Sequence, residues 1–162
     1  MNYILIGFST DKKDWISKII RKVTWSKFSH VVLINPDRSS YIESTHGVGV
    51  RELPISEFFE KNNIEIGMIN HPNPEEVWRL AKQEIGKPYD NMYIYGWLFR
   101  RNWQDDAKWA CCELIPAMTA RTGYPIVRCE EFMKVTPQML YMISSPYKEE
   151  LYMISSPYKE EL

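Results

Sequence analysis

The chain's three cysteines and three histidines are its best candidates for nucleophilic or metal chemistry. Cys111 and Cys112 are adjacent, Cys129 stands alone, and His30, His46 and His71 are scattered. No C-x-x-C or H-E-x-x-H spacing occurs, so no metal site and no cofactor is expected. A buried cysteine is ordinarily a small hydrophobe. Position sets Cys111 apart, because it opens a predicted helix over 110–122, after the polar run Asn102-Trp103-Gln104-Asp105-Asp106. A thiol at a helix N-terminus faces unpaired N–H groups and the positive end of the dipole, and both favour thiolate. A thiolate nucleophile needs a base and an acidic partner that fixes the base's tautomer. His30 opens one predicted strand and Glu43 lies on the next. A hairpin turning around 35–40 puts both on one sheet face, and a helix whose N-terminus points toward that face brings Cys111 to the imidazole. Each residue alone reads as a packing or surface residue; the triplet carries the chemistry.

The elements that must position these residues are legible in outline. Residues 3–8 are a buried strand. Residues 12–24 are a helix with Trp15, Ile16, Ile19, Ile20 and Val23 on one face and most of the cations on the other. Residues 29–34 and 41–45 form a hairpin around Asn35-Pro36-Asp37, and 46–50 continue the sheet through a glycine kink or bulge. A short helix at 55–60 and a strand at 64–69 follow. Pro74, Glu75 and Glu76 start a helix that Gly86 stops. Residues 90–100 read as an aromatic helix, and 136–144 as a last helix with Pro137 at its first position. Helix 110–122 should put Cys111, Leu114, Ile115 and Met118 on the face toward the sheet, with Pro116 making its first turn irregular or kinking it. Strands first and helices afterwards predict an α+β fold with an antiparallel sheet packed against helices. No Gly-rich phosphate loop is present.

Four blocks resemble a known family: F-S-H-V-V-L at 28–33, Y-I-E-S-T at 41–45 with G-V-G-V at 47–50, G-K-P-Y-D at 86–90, and W-A-C-C-E-L at 109–114. They are similar to the circularly permuted papain-like cysteine hydrolases of the NlpC-type superfamily. These comprise the YiiX/YaeF-like amidases and, more distantly, the lecithin:retinol acyltransferase-like proteins. The resemblance covers about residues 1–145. It implies a permuted papain-like fold with the catalytic order His30, Glu43, Cys111. Cys111 would attack a carbonyl, His30 would serve as base and then proton donor, and Glu43 would orient the imidazole. It places Tyr89 near the cleft as an oxyanion or substrate contact, with a packed aromatic as the plain alternative. His46 is the rival for the third position and Cys112 the rival thiol, since it stands where the family's C-S-E-L box has serine. Asp90 reads as a helix cap, and Glu113 as a structural hydrogen-bonding or ion-pairing group. The aromatics Tyr93, Tyr95, Trp97, Phe99, Trp103 and Trp109 read as core or as the lining of a groove.

Composition narrows the partners. The 162 residues carry 20 basic and 21 acidic side chains, for a net charge of −1, so nucleic acid is not an expected partner. No apolar run reaches the length of a transmembrane helix, and the first residues lack the basic region of a signal peptide. The expectation is a cytoplasmic bacterial or phage protein, or a virion-associated one. Its partner would be a peptide, peptidoglycan or acyl substrate. The leading activity is hydrolysis of an amide, peptide or thioester bond. An acyltransferase or lipid hydrolase with the same triad, and a non-catalytic binding or phage structural module, are the alternatives. YMISSPYKEEL occurs at 141–151 and again at 152–162. The expected organisation is one domain over 1–151, with 152–162 a dispensable duplicated tail or an artefact.

Overall fold

A computed structural model describes residues 2–10, 15–90, 108–128 and 135–147. The expected aromatic helix at 90–100, the aromatics from Tyr93 to Trp103, Cys129 and the duplicated tail lie outside them.

Six antiparallel strands form one sheet in the order β4-β3-β2-β1-β5-β6. The strands are β1 Tyr3–Ser9, β2 His30–Ile34, β3 Ser40–Thr45, β4 Gly49–Pro54, β5 Glu65–Asn70 and β6 Ser145–Pro146. The helices are α1 Trp15–Thr24, α2 Ile55–Phe59, α3 Pro74–Gln83, α4 Cys111–Arg121 and α5 Pro137–Ile143. The fold is therefore α+β, as the segregation of strands and helices predicts.

Alternation along the strands divides the core. Ile4, Ile6, Phe8, Val31, Leu33 and Ile42 face α3 and α4. Leu5, Val32, Ile34 and Tyr41 face α2, against Ile55 and Phe58. In α1, Ile19 and Ile20 are half-buried while Lys18 and Lys22 are exposed. The side chains of Trp15, Ile16 and Val23 are outside the described part. Helix α5 starts as expected: Pro137 follows Thr136, whose hydroxyl accepts the Met139 N–H at 3.1 Å. The two-residue β6, which pairs with Gly67 and Met68, has too little sequence to carry a strand signal.

Two local expectations fail. The stretch 46–50 does not continue a strand through a kink. His46, Gly47 and Val48 make a tight turn, and β4 returns antiparallel to β3 with Thr45 opposite Gly49. Both glycines have positive φ, +79° at Gly47 and +93° at Gly49, so paired left-handed positions make a reversal rather than a bulge. Helix α4, which runs from Cys111 to Arg121 with Pro116 inside it, is also not buried on one face alone. Every residue from Cys111 to Thr119 is buried, because the sheet flanks the helix on one side and α3 on another. That packing holds the helix through the missing N–H.

Gly49 carries a second demand. The Lys87 carbonyl accepts the Val50 N–H at 2.9 Å, and Gly86 N–H returns a bond to the Val50 carbonyl at 2.9 Å. A Cβ at residue 49 would collide with the Lys87 carbonyl oxygen, whereas one at Gly47 would meet nothing. Gly49→Ala should therefore destabilise the protein by about 2–4 kcal/mol, from backbone strain plus overpacking. Gly47→Ala should cost about 1 kcal/mol from strain alone. Urea denaturation of the two variants checks this order; equal losses would refute the close approach.

Candidate active site

The end of the sheet where β1 finishes, β2 begins and β3 finishes opens into a cleft of about 340 Å³. Its lining includes Ser9, His30, Lys61, Tyr89 and Cys111, the only one of the two adjacent thiols to reach it.

Glu43 organises the site. Its side chain has no exposure. Oε2 accepts hydrogen bonds from His30 Nε2 at 2.7 Å and from Lys61 Nζ at 2.7 Å. Oε1 accepts two from Arg51, at 3.0 Å from Nε and 2.7 Å from Nη2. Burial alone would push this carboxyl up. The hydrogen bonds and charges of His30 and Lys61 outweigh it and hold the group well below the usual carboxylate range.

His30 is the link between acid and thiol. Burial opposes its protonation, but the hydrogen bonds to Cys111 and Glu43 prevail and raise it to about 9. Nε2 is taken by the carboxylate, so Nδ1 is the ring atom left for the thiol. Cys111 is lowered well below an ordinary thiol. The hydrogen bond from Cys112 is the largest cause, burial opposes it, and His30 and a backbone bond from Val31 add to it. The two sulfurs are 4.0 Å apart. Cys112 thus stands beside Cys111 but outside the cleft lining. The favoured state of the pair is thiolate and imidazolium.

The route by which the three meet differs from the sequence expectation. His30 and Glu43 do share a face: Leu33 pairs with Ile42, which makes residues 30 and 43 diagonal neighbours by alternation. That face is the one toward α2. Helix α4 packs on the other, so its N-terminus meets the imidazole around the starting end of β2. A pinned segment delivers it there. Trp109 N–H donates to the Pro88 carbonyl and Asp90 N–H to the Trp109 carbonyl, both at 3.2 Å. Ser44 Oγ donates to the same Trp109 carbonyl at 2.5 Å. Trp109 Nε1 donates to Glu84 at 2.6 Å, and Arg121 and Lys87 bind that carboxylate too. Trp109 is therefore a buried anchor, not a groove residue.

The remaining candidates have definite places. His46 is exposed and packs edge-on against Tyr89, with ring centroids 5.9 Å apart; Glu43, not His46, holds His30. Tyr89 is buried, and burial together with the negative groups around it keeps its phenol protonated far above neutrality. Asp90 is fully buried beside Trp109; the helix it was expected to cap is outside the described residues. Glu113 accepts the Ala110 N–H at 3.0 Å, which is half of a capping box. Burial is the main reason this carboxyl rises to about 7, with Asp90 and Cys111 contributing.

Sequence reasoning missed Arg51 and Lys61. Arg51 was readable, since it lies directly opposite Glu43 in the β3–β4 register. Reading residues 46–50 as a kink hid that pairing. Lys61 comes from the turn after α2, and no periodicity marks it.

No family model matches the chain, and no curated protein does. The chain is similar to the crystal structure of YiiX from Escherichia coli O157:H7, described as a metalloprotein, DUF1105. The TM-score is 0.68 at 15% identity, over 92% of this chain and 97% of that one. The fold is thus YiiX-like. Among the described residues no three His, Cys, Asp or Glu side chains form a metal-binding group.

Glu43→Gln removes the charge that three donors share. It should destabilise the protein by about 2–4 kcal/mol, the lower end reflecting the partial exposure of Arg51 and Lys61. It should also move the His30 pKa down toward the ordinary 6.5. Denaturation and histidine NMR check both; an unchanged His30 titration would contradict the coupling.

Proposed function

We propose that the protein is a cysteine-dependent hydrolase of amide or peptide bonds, thioesters included, acting through an acyl-enzyme on Cys111. We infer that its YiiX-like fold is a circularly permuted papain-like, NlpC-type arrangement. One observation carries the reading: His30, bonded at 2.7 Å to the buried Glu43 carboxylate, shares the wall of one open cleft with the Cys111 thiol.

In this mechanism the Cys111 thiolate adds to the scissile carbonyl carbon and the carbonyl electron pair moves onto oxygen. The tetrahedral intermediate collapses, the carbon–nitrogen bond breaks, and the imidazolium of His30 gives its Nδ1 proton to the departing amine. The product is a thioester on Cys111. Neutral His30 then takes a proton from water, the hydroxide adds to the thioester, and the acid leaves as the thiolate is restored. Glu43 fixes the tautomer and ring orientation through Nε2 throughout. Tyr89 is the candidate donor to the oxyanion, because a phenol that stays protonated can donate. The N–H of Cys111, at the first position of α4, is the backbone counterpart. A peptidoglycan stem peptide is one substrate of this class.

The ion pair sets the pH dependence. Its acid limb lies where Cys111 ionises, well below an ordinary thiol. Its alkaline limb lies where His30 loses its proton, at about 9. Hydrolysis should therefore be sustained through neutrality and fall as pH rises through about 9. Alkylation, which needs only the thiolate, should show the acid limb alone. At pH 6, iodoacetamide should modify Cys111 about tenfold or more faster than 2-mercaptoethanol, and His30→Ala should abolish the advantage. Peptide mass spectrometry assigns the site. Equal reaction at Cys111, Cys112 and Cys129 with ordinary thiol titration would sink the hydrolase and favour a binding module.

A further inference from the structure

We propose that Lys61 makes the cleft a receptor for a carboxylate, so that its substrates carry negative charge close to the scissile acyl group. This rests on the reading of Cys111 as the nucleophile.

The charges around Glu43 do not cancel. Arg51 and Lys61 bring two positive charges to Glu43, which supplies one negative charge. The His30–Cys111 couple is neutral overall whether written as thiol and imidazole or as thiolate and imidazolium. The cluster therefore keeps one surplus positive charge in either state of the couple. The surplus belongs at Lys61, because Lys61 lines the cleft and Arg51 does not. Its side chain is 27% exposed. The structure gives its ammonium one hydrogen-bond partner among the described residues, Glu43, although an ammonium carries three donors.

The rest of the wall suits a polar anion. Ser9, Thr10, Ser29 and Asn62 offer hydroxyl and amide groups, and no described acidic side chain lines the cleft. The carboxyls nearest Cys111 on the interior side, Asp90 and Glu113, are both buried and are not part of the lining. Ile20 is the one aliphatic side chain among the described lining residues. A wall this polar offers a hydrocarbon chain little apolar surface to bury against. Lys61 is thus assigned as a specificity-determining residue that also helps position Glu43.

Two reagents differing only in charge test this directly. Iodoacetate and iodoacetamide both lose iodide to the Cys111 thiolate as a sulfur–carbon bond forms, and one carries a carboxylate where the other carries an amide. Their rate ratio at Cys111 is measured by mass spectrometry on the full chain at pH 6 and low ionic strength, with 2-mercaptoethanol as the reference thiol. The protein should shift the ratio toward iodoacetate by on the order of tenfold. Added salt should erode the shift. Lys61→Gln should remove most of it, and Lys61→Arg should retain it. If circular dichroism shows Lys61→Gln to be unfolded, Lys61→Met, which keeps an unbranched stem without the charge, replaces it. A wild-type ratio equal to the reference overturns the proposal without any variant. So does an undiminished ratio in the folded Lys61→Gln or Lys61→Met protein, which would assign the preference to the imidazolium alone. Loss of the iodoacetamide advantage itself would instead overturn the nucleophile assignment beneath it.

Discussion

A single buried carboxylate governs this structure. Glu43 has no exposed side-chain surface, yet it stays ionised because His30, Arg51 and Lys61 satisfy both of its oxygens. Removing such a charge from water is expensive, and only close, well-oriented partners offset the loss. Those partners come from three places: the start of β2, the facing position on β4 and the turn after α2. Strand order, hairpin register and the placement of α2 are thus all tied to one side chain. The same interaction fixes His30 with Nε2 committed to the carboxylate, in the cleft that Cys111 also lines.

The opposite side of the site depends on a second buried acid. Glu84 gathers Trp109, Arg121 and Lys87. Trp109 is pinned as well through its backbone to Pro88 and Asp90 and through its carbonyl to Ser44. Two residues later comes Cys111. The helix N-terminus is therefore set by bonds to the end of α3, to β3 and to the segment after Gly86, not by helix propensity. A well-positioned thiol follows from that bracing, and its low pKa follows from position: helix start, Cys112, His30 and the Val31 amide all favour the anion.

Much of this was legible in the sequence, for identifiable reasons. The chemical types at 30, 43 and 111 suffice to suggest a thiol, base and acid, and the turn at Asn35-Pro36-Asp37 places 30 and 43 on one face. Cys111 falls at a helix start because a polar run precedes it. The misreadings are equally physical. Two glycines separated by one residue suit a bulge and a tight reversal alike, and the pairing of Thr45 with Gly49 marks the reversal. Pro116 argues locally against a continuous helix, and packing on several sides overrides it. The pairing of Lys61 with Glu43 joins residues 18 apart through a loop, where no pattern of period two or 3.6 exists to reveal it. The YiiX-like fold fits the family resemblance at the level of architecture, while the catalytic roles rest on the geometry of these few side chains.

The most direct test is the protonation state of His30, followed by nitrogen-15 NMR of the labelled protein as pH is raised, with thiolate absorbance at 240 nm recorded in parallel. The expected result is an imidazolium that persists through neutrality and deprotonates at about 9, alongside a thiolate signal already present at pH 6 and absent in Cys111→Ser. A His30 that titrates near the ordinary 6.5, with no thiolate until the alkaline range, would contradict it.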